Sequence, residues 1–289
     1  MTIVNVNLPQ AEAVSYEILI ANGLLADFCA TLKKFLQKFP KIKTFAIVTD
    51  KNVSALYEET VANVLTNSGF HVISYAVPPG EASKSAEQFF ALQRWLAENQ
   101  ITRSDAIIAL GGGVVGDLAG FTAATYLRGV PFIQVPTTLL AMVDSSVGGK
   151  TGIDIPEGKN LVGAFYQPSA VICDPETLRT LSPEIFADGC AEVIKHGMIR
   201  SEKLLRMLES PVVPQISAII EENVKIKRDI VQRDEFDTGE RQLLNFGHTI
   251  GHAIEKLSDF QISHGSAVAI GMAIITQAEI GRASCRERV

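Results

Sequence analysis

Ala106-Ile-Ile-Ala-Leu-Gly-Gly-Gly-Val-Val-Gly-Asp117 is the stretch that decides the fold. Ala106 to Leu110 is an unbroken apolar run, short enough for a buried strand. Gly111, Gly113 and Gly116 follow in the G-x-G-x-x-G spacing, and Val114 to Tyr126 has a helical pattern. A strand passing through such glycines into a helix is the context that a dinucleotide fingerprint requires. The glycines let backbone approach a pyrophosphate, and the helix N-terminus offers N–H donors and positive potential. One element is missing: no acid closes the next strand, about 20 residues on, where a ribose partner is expected. Asp50, at the end of an earlier apolar run, is the candidate for that role. The plain alternative is a glycine turn that only packs helix on strand.

Outward from this stretch, strands and helices alternate. Tyr16 to Ile20, Thr44 to Val48, His71 to Val77 and Phe132 to Val135 read as strands. Leu24 to Phe39, Val53 to Ser68 and Ala86 to Asn99 read as helices. This pattern predicts βαβ units and a mostly parallel sheet covered on both faces. From about Ser182 onward helices dominate: Glu184 to Ile199, Ser201 to Glu209, Ile216 to Phe236, Arg241 to Leu257 and His264 to Ile280. The expected division is an α/β domain over 1–181 and an α-helical domain over 182–279. Residues 280–289 form a short basic ending, which we read as a non-native extension of a truncated frame and exclude, with Cys285, from functional reasoning.

The bulk composition narrows the partners. Of 289 residues, 47% are hydrophobic and 20% charged, with a net charge of -6. No basic stripe with interleaved aromatics appears, so nucleic acid is not an expected partner. No apolar stretch is long enough for a membrane span. The four cysteines are scattered and no secretory leader is evident, which predicts a reduced, cytoplasmic protein.

Two polar groupings carry chemistry. Pro136-Thr137-Thr138, Asp144-Ser-Ser-Val-Gly-Gly-Lys150 and Gly158-Lys159-Asn160 place hydroxyls, lysines and an amide on glycine-rich loops, suited to phosphate or carboxylate. Of five histidines, His248, His252 and His264 lie near the end of the chain, with Glu192 further back. His248 and His252 share a helical face, so spacing alone makes both metal-ligand candidates. Imidazoles with one carboxylate suit zinc, and three protein ligands leave a position open for substrate. An ordinary helix with two histidines remains the alternative.

Leu110-Gly-Gly-Gly-Val-Val-Gly-Asp-Leu, Gln134-Val-Pro-Thr-Thr-Leu-Leu, Val143-Asp-Ser-Ser-Val-Gly-Gly-Lys-Thr-Gly, Ala191-Glu-Val-Ile-Lys195 and Leu244-Asn-Phe-Gly-His-Thr-Ile-Gly-His-Ala-Ile-Glu255, in this order, closely resemble the 3-dehydroquinate synthase family. The resemblance runs from about Asp50 to Glu279. It implies a Rossmann-like NAD-binding α/β domain, an all-α metal-binding domain and an active site in the cleft between them. The implied ligands of Zn2+ or Co2+ are Glu192, His248 and His264, and His252 then falls to substrate contact or proton transfer. The implied NAD contacts are Asp50, Gly80, Glu81, Lys84, Gly113, Val114, Val115, Gly116, Asp117, Thr137, Thr138, Lys150, Lys159, Thr177 and Thr180. Substrate-pocket positions match Asp144, Lys150, Asn160, Lys195, Lys227, Arg241, Asn245 and His252. Arg128 resembles a residue lent across a homodimer interface. Taken alone, Lys227 and Arg241 would read as solvated helix-face residues, and His71 and His196 as structural or exposed.

The family reaction implied is conversion of 3-deoxy-D-arabino-heptulosonate 7-phosphate to 3-dehydroquinate and phosphate. It runs by transient NAD oxidation, β-elimination, re-reduction and intramolecular aldol closure, with no net redox. The resemblance also implies that the family's chain normally continues well past the position of Glu279, with further helices and one more active-site lysine. The competing expectations are another sugar-phosphate cyclase, a metal- and NAD-dependent polyol dehydrogenase, and an inert truncated fragment or binding module.

Overall fold

The computed structural model describes residues 15–258 and 261–287, with side chains described to residue 280. Cys285 therefore lies outside the described side chains. Among the described residues there are eight strands: β1 (Glu17–Ile20), β2 (Thr44–Asp50), β3 (His71–Val77), β4 (Ala106–Gly111), β5 (Phe132–Pro136), β6 (Lys150–Ile155), β7 (Gly158–Phe165) and β8 (Ala170–Cys173). Six form one sheet in the order β1-β8-β5-β4-β2-β3, and every pairing in it is parallel. Helices α1 (Phe28–Thr31), α2 (Lys33–Lys38), α3 (Lys51–Val53), α4 (Glu59–Asn67), α5 (Ala86–Glu98) and α6 (Gly113–Thr125) accompany the sheet.

The continuously apolar strands are explained by this layering. Along β2, Phe45 and Ile47 pack with Phe28, Leu32, Val61 and Leu65 on one face. Ala46 and Val48 pack with Leu92, Leu96, Leu118 and Phe121 on the other. A strand with a core on each face has no polar side to present. The chain leaves β2 for β3 in one direction and β4 for β5 in the other. The carboxyl ends of β2 and β4, at Asp50 and Gly111, therefore flank the point where the strand order reverses, the usual crevice for ligands in such sheets.

Helices α7 (Pro183–Arg200), α8 (Glu202–Met207), α9 (Ile216–Arg233), α10 (His248–Leu257) and α11 (His264–Glu287) make up the rest. A third core holds Val193, Leu204, Ile219, Ile220, Val224 and Ile230 from these helices together with Val171 and Cys173 of β8. Alternate residues of β8 thus face the two halves and join them. No described helix is long and apolar enough to cross a membrane.

Five expectations need correction. Lys150, Lys159 and Asn160, read as loop residues, lie on an antiparallel hairpin of β6 and β7. The glycine content hid its alternation. The helix expected over 24–39 divides into α1 and α2, and the one expected over 53–68 contains a π-helical stretch at Ser54–Glu58. The helix expected over 241–257 is two elements, a 3-10 turn at Glu240–Asn245 and α10. Gly247 separates them at φ +81, in the left-handed region that favours glycine. Finally, α11 runs on to Glu287 instead of stopping at 280. Its last stretch contains Ala, Arg and Glu, which are good helix formers even without an apolar stripe.

The α10–α11 crossing is close. A Cβ on Gly271 would lie 2.2 Å from the Gly247 carbonyl oxygen. No side chain fits there, so glycine permits the approach that brings His248 and His264 together.

Candidate active site

Glu192, Lys195 and His196 sit on successive turns of one face of α7, all buried. Glu192 is fully buried, yet its Oε1 has no hydrogen-bond partner. The Nε2 atoms of His248 and His264 lie 3.8 and 3.7 Å from that oxygen. The other ring nitrogens are engaged: Nδ1 of His248 is 3.3 Å from the Phe246 carbonyl, and Nδ1 of His264 is 3.4 Å from Glu255 Oε2. Donation from Nδ1 leaves the Nε2 lone pairs aimed at Glu192, the arrangement of a metal-ligating histidine and its outer partner. Burial, aided by the Lys195 charge, holds the His248 imidazole down to about 3, so it stays neutral. Burial also acts to lower His264, but Glu255 and Glu192 outweigh it and its pKa is raised.

His252 is outside this trio. It is largely exposed, and its Nε2 is 3.9 Å from Glu255 Oε2. A second grouping of His252, Glu255 and His264 is thus compact enough to hold an ion. It fits less well. Glu255 is already committed to Lys159 and to His264 Nδ1. Orphaned buried oxygens are uncommon and call for a partner, and Glu192 has the orphan.

Above the trio lies a cleft of about 670 Å³ whose lining includes Asp117, Asp144, Lys150, Asn160, Lys195, Lys227, Arg241, Asn245, His248, His252 and His264. Asp144 organises its floor. It ion-pairs with Lys227, and lies 3.8 Å from both Lys195 Nζ and His196 Nε2. Burial alone would raise its pKa, but Lys195 and Lys227 hold it well below the usual carboxylate range. Desolvation pulls Lys227 down, and the Asp144 charge only partly offsets this. Lys195 is raised, because Asp144 and Glu192 outweigh the burial that would lower it. Arg241 is 1% exposed, donating from Nη2 to the Gly148 carbonyl at 2.9 Å. Its Nε has no partner. Lys227 and Arg241 are therefore buried site residues, not the solvated helix-face residues that they resemble in isolation. Lys150 is held by Asp237.

His196 is buried against this floor, with Nδ1 3.0 Å from Asn223 Oδ1. Burial and Lys195 push its pKa down to about 4 from an ordinary 6.5. The unfolded chain therefore binds more protons than the folded one between those values. Stability from this group is complete above pH 6.5 and is lost as pH falls to about 4, by roughly 3 kcal/mol. We expect thermal melts of metal-free protein to fall over this window and to flatten in His196→Gln. A His196→Gln variant with the same acid slope would remove His196 as the cause.

The nucleotide candidates cluster at the carboxyl ends of the strands. Asp50 ends β2, and its Oδ1 accepts from the amides of Asn52 and Val53 at 2.8 and 3.1 Å, so it caps α3. Gly80, Glu81 and Lys84 follow β3, and Lys84 Nζ is 2.7 Å from Asp117 Oδ2. Gly113, Val114, Val115, Gly116 and Asp117 open α6. Thr137 and Thr138 follow β5, and the buried Thr137 hydroxyl lacks a partner. Thr177 and Thr180 follow β8, where Tyr57 Oη meets the Thr177 carbonyl at 3.1 Å and Thr180 Oγ1 at 2.7 Å. Lys159 reaches Glu255 Oε1 at 3.2 Å. Arg128 stands apart: it is exposed, beyond the far end of α6, and does not line the cleft. Sequence reading did not single out Glu255 or Asp237. Only the position of Glu255, seven residues after His248 on one helical face, offered a signal.

Models of the 3-dehydroquinate synthase N-terminal and C-terminal regions match residues 74–188 and 189–287. The 3-dehydroquinate synthase of Symbiobacterium thermophilum is 46% identical over 276 residues, covering 93% of this chain and 76% of that protein. Among solved structures, 2-epi-5-epi-valiolone synthase from Streptomyces hygroscopicus, with NAD+ and Zn2+ bound, superposes with TM-score 0.82 at 27% identity, over 92% of this chain and 75% of that one. 2-Deoxy-scyllo-inosose synthase, complexed with carbaglucose-6-phosphate, NAD+ and Co2+, gives 0.79 at 26% identity, over 88% and 71%.

Proposed function

Since the chain belongs to the 3-dehydroquinate synthase family, we propose that the cleft between its sheet and its helices is where that family's reaction takes place. The reaction turns 3-deoxy-D-arabino-heptulosonate 7-phosphate into 3-dehydroquinate and phosphate. One observation carries this reading. The orphaned Glu192 oxygen and the two Nε2 lone pairs converge beneath a cleft walled by Lys150, Lys195, Lys227 and Arg241. The proposed domains are 1–181 for the nucleotide and 182–279 for metal and substrate, the first Rossmann-like.

Glu192, His248 and His264 would hold the divalent ion. The strand ends from Asp50 to Thr180, with Lys150 and Lys159, would hold NAD. When bound, NAD lends and recovers a hydride, and the ion acidifies the hydroxyls it contacts. The protein's own groups do the rest. Lys150, Lys195, Lys227 and Arg241 supply cations for a substrate with a carboxylate and a phosphate, and Asn160 and Asn245 add amides. Arg241 is pinned by backbone acceptors, so its fork is set before substrate arrives. Partial desolvation in the cleft lowers the pKa of His252, so this imidazole is neutral and able to accept a proton. Asp144 balances the lysines, which would otherwise repel one another. A homodimer is part of the proposal, because Arg128 is exposed and remote from its own cleft.

With catalytic amounts of NAD and a divalent metal, the keto-acid sugar phosphate should release phosphate without accumulation of reduced nicotinamide. Accumulation matching substrate consumed would instead indicate a polyol dehydrogenase.

A further inference from the structure

We infer that Glu255 is a positioning residue that ties the metal centre to the nucleotide side of the cleft, so that divalent metal and NAD reinforce each other's binding. This rests on the metal and nucleotide sites proposed above. Glu255 is on α10, and only 2% of its surface is exposed. Its Oε1 lies 3.2 Å from Lys159 Nζ on β7. Its Oε2 lies 3.4 Å from Nδ1 of His264 on α11 and 3.9 Å from Nε2 of His252. One buried carboxylate thus joins the sheet side, through the β6–β7 hairpin, to both histidine helices.

Each oxygen has a consequence. At Oε2, an Nδ1–H donor fixes the His264 tautomer, so that Nε2 presents its lone pair 3.7 Å from Glu192 Oε1. At Oε1, the carboxylate fixes the ammonium of Lys159, beside Asn160 at the start of β7. A metal that orders His264 orders Glu255, and Glu255 orders Lys159. Coupling between two binding sites is reciprocal, so NAD held by Lys159 must tighten the metal by the same factor. Glu255 touches neither metal nor substrate. Its role is exerted through His264 and Lys159.

The test is Zn2+ affinity, measured by chelator competition with and without saturating NAD. In the wild type, NAD should tighten Zn2+ by about ten-fold, within the usual range of coupling between sites. Glu255→Gln should bind Zn2+ about ten-fold more weakly without NAD, as loss of an outer partner does, and should show no coupling. Lys159→Met should keep its NAD-free Zn2+ affinity within about two-fold but lose the coupling, because it leaves the His264 contact intact. Lys159 is partly exposed, so this variant remains informative if Glu255→Gln does not fold. Coupling retained in Lys159→Met, or unchanged Zn2+ affinity in a folded Glu255→Gln, would overturn the bridge. His248→Ala is the control on the underlying site. Loss of Zn2+ there together with an unaffected Glu255→Gln rejects the bridge alone, and Zn2+ binding retained in His248→Ala rejects the site and the bridge with it.

Discussion

His248→Ala is expected to lose its metal and all measurable turnover, whereas His252→Ala keeps the metal and turns over slowly. The two residues are four apart on α10, and their rings are 5.4 Å apart. What separates them is direction. His248 points Nε2 at the orphaned Glu192 oxygen, while His252 lies in the open cleft beside Glu255. Structural zinc sites are worth upwards of about 10 kcal/mol, so one ligand of three or four carries roughly 3 kcal/mol. Its loss weakens binding about a hundred-fold or more. His252 is available for proton transfer, and removing such a group costs about 10²–10⁴ in rate. Elemental analysis of both purified variants, beside a phosphate-release assay, decides the matter. Equal metal loss in the two would show that His252 holds the metal as much as His248 does, and that the ligand set is not Glu192, His248 and His264 alone.

Lys195→Met should cause the largest loss of stability of any single change in the cleft. Lys195 is 1% exposed and ion-paired with Glu192, and Asp144 Oδ2 is 3.8 Å away. Removing the ammonium leaves the buried Glu192 and the half-buried Asp144 carboxylates with less compensation. Breaking a buried pair in this way costs about 3–5 kcal/mol. For a protein of this size that is a fall of roughly 10 °C in melting temperature. The metal-free variant should be the worst affected. A divalent ion beside Glu192 restores positive charge, so added Zn2+ should recover more melting temperature in the variant than in the wild type. Lys195→Arg should rescue only in part, because a planar guanidinium does not reproduce the compact ammonium's position between Glu192 and Asp144. A melting temperature within 2 °C of the wild type in metal-free Lys195→Met would show that Lys195 does not hold these carboxylates.

The parallel sheet was legible because its cause is local. A strand buried on both faces must be continuously apolar, and Ala106 to Leu110 is, running straight into glycines that open α6. The helical half was legible for the same reason, through apolar periodicity from Ser182 onward. The resemblance named Glu192, His248 and His264, and the structure brings these three together from α7, α10 and α11. Other features were not local. The β6–β7 hairpin is held by pairing with itself and by packing on α6, so its glycines read as loop. The break at Gly247 depends on a backbone angle that one letter does not reveal. Whether a lysine on an amphipathic helix meets water or Asp144 depends on what packs against it, and so the burial of Lys227 and Arg241 was invisible. Spacing alone treats His248 and His252 as equivalent, because a helix periodicity gives the face but not the neighbour. The tertiary structure makes them different, because Glu192 on another helix lies under the His248 ring while Glu255, one turn along α10, lies beside the His252 ring.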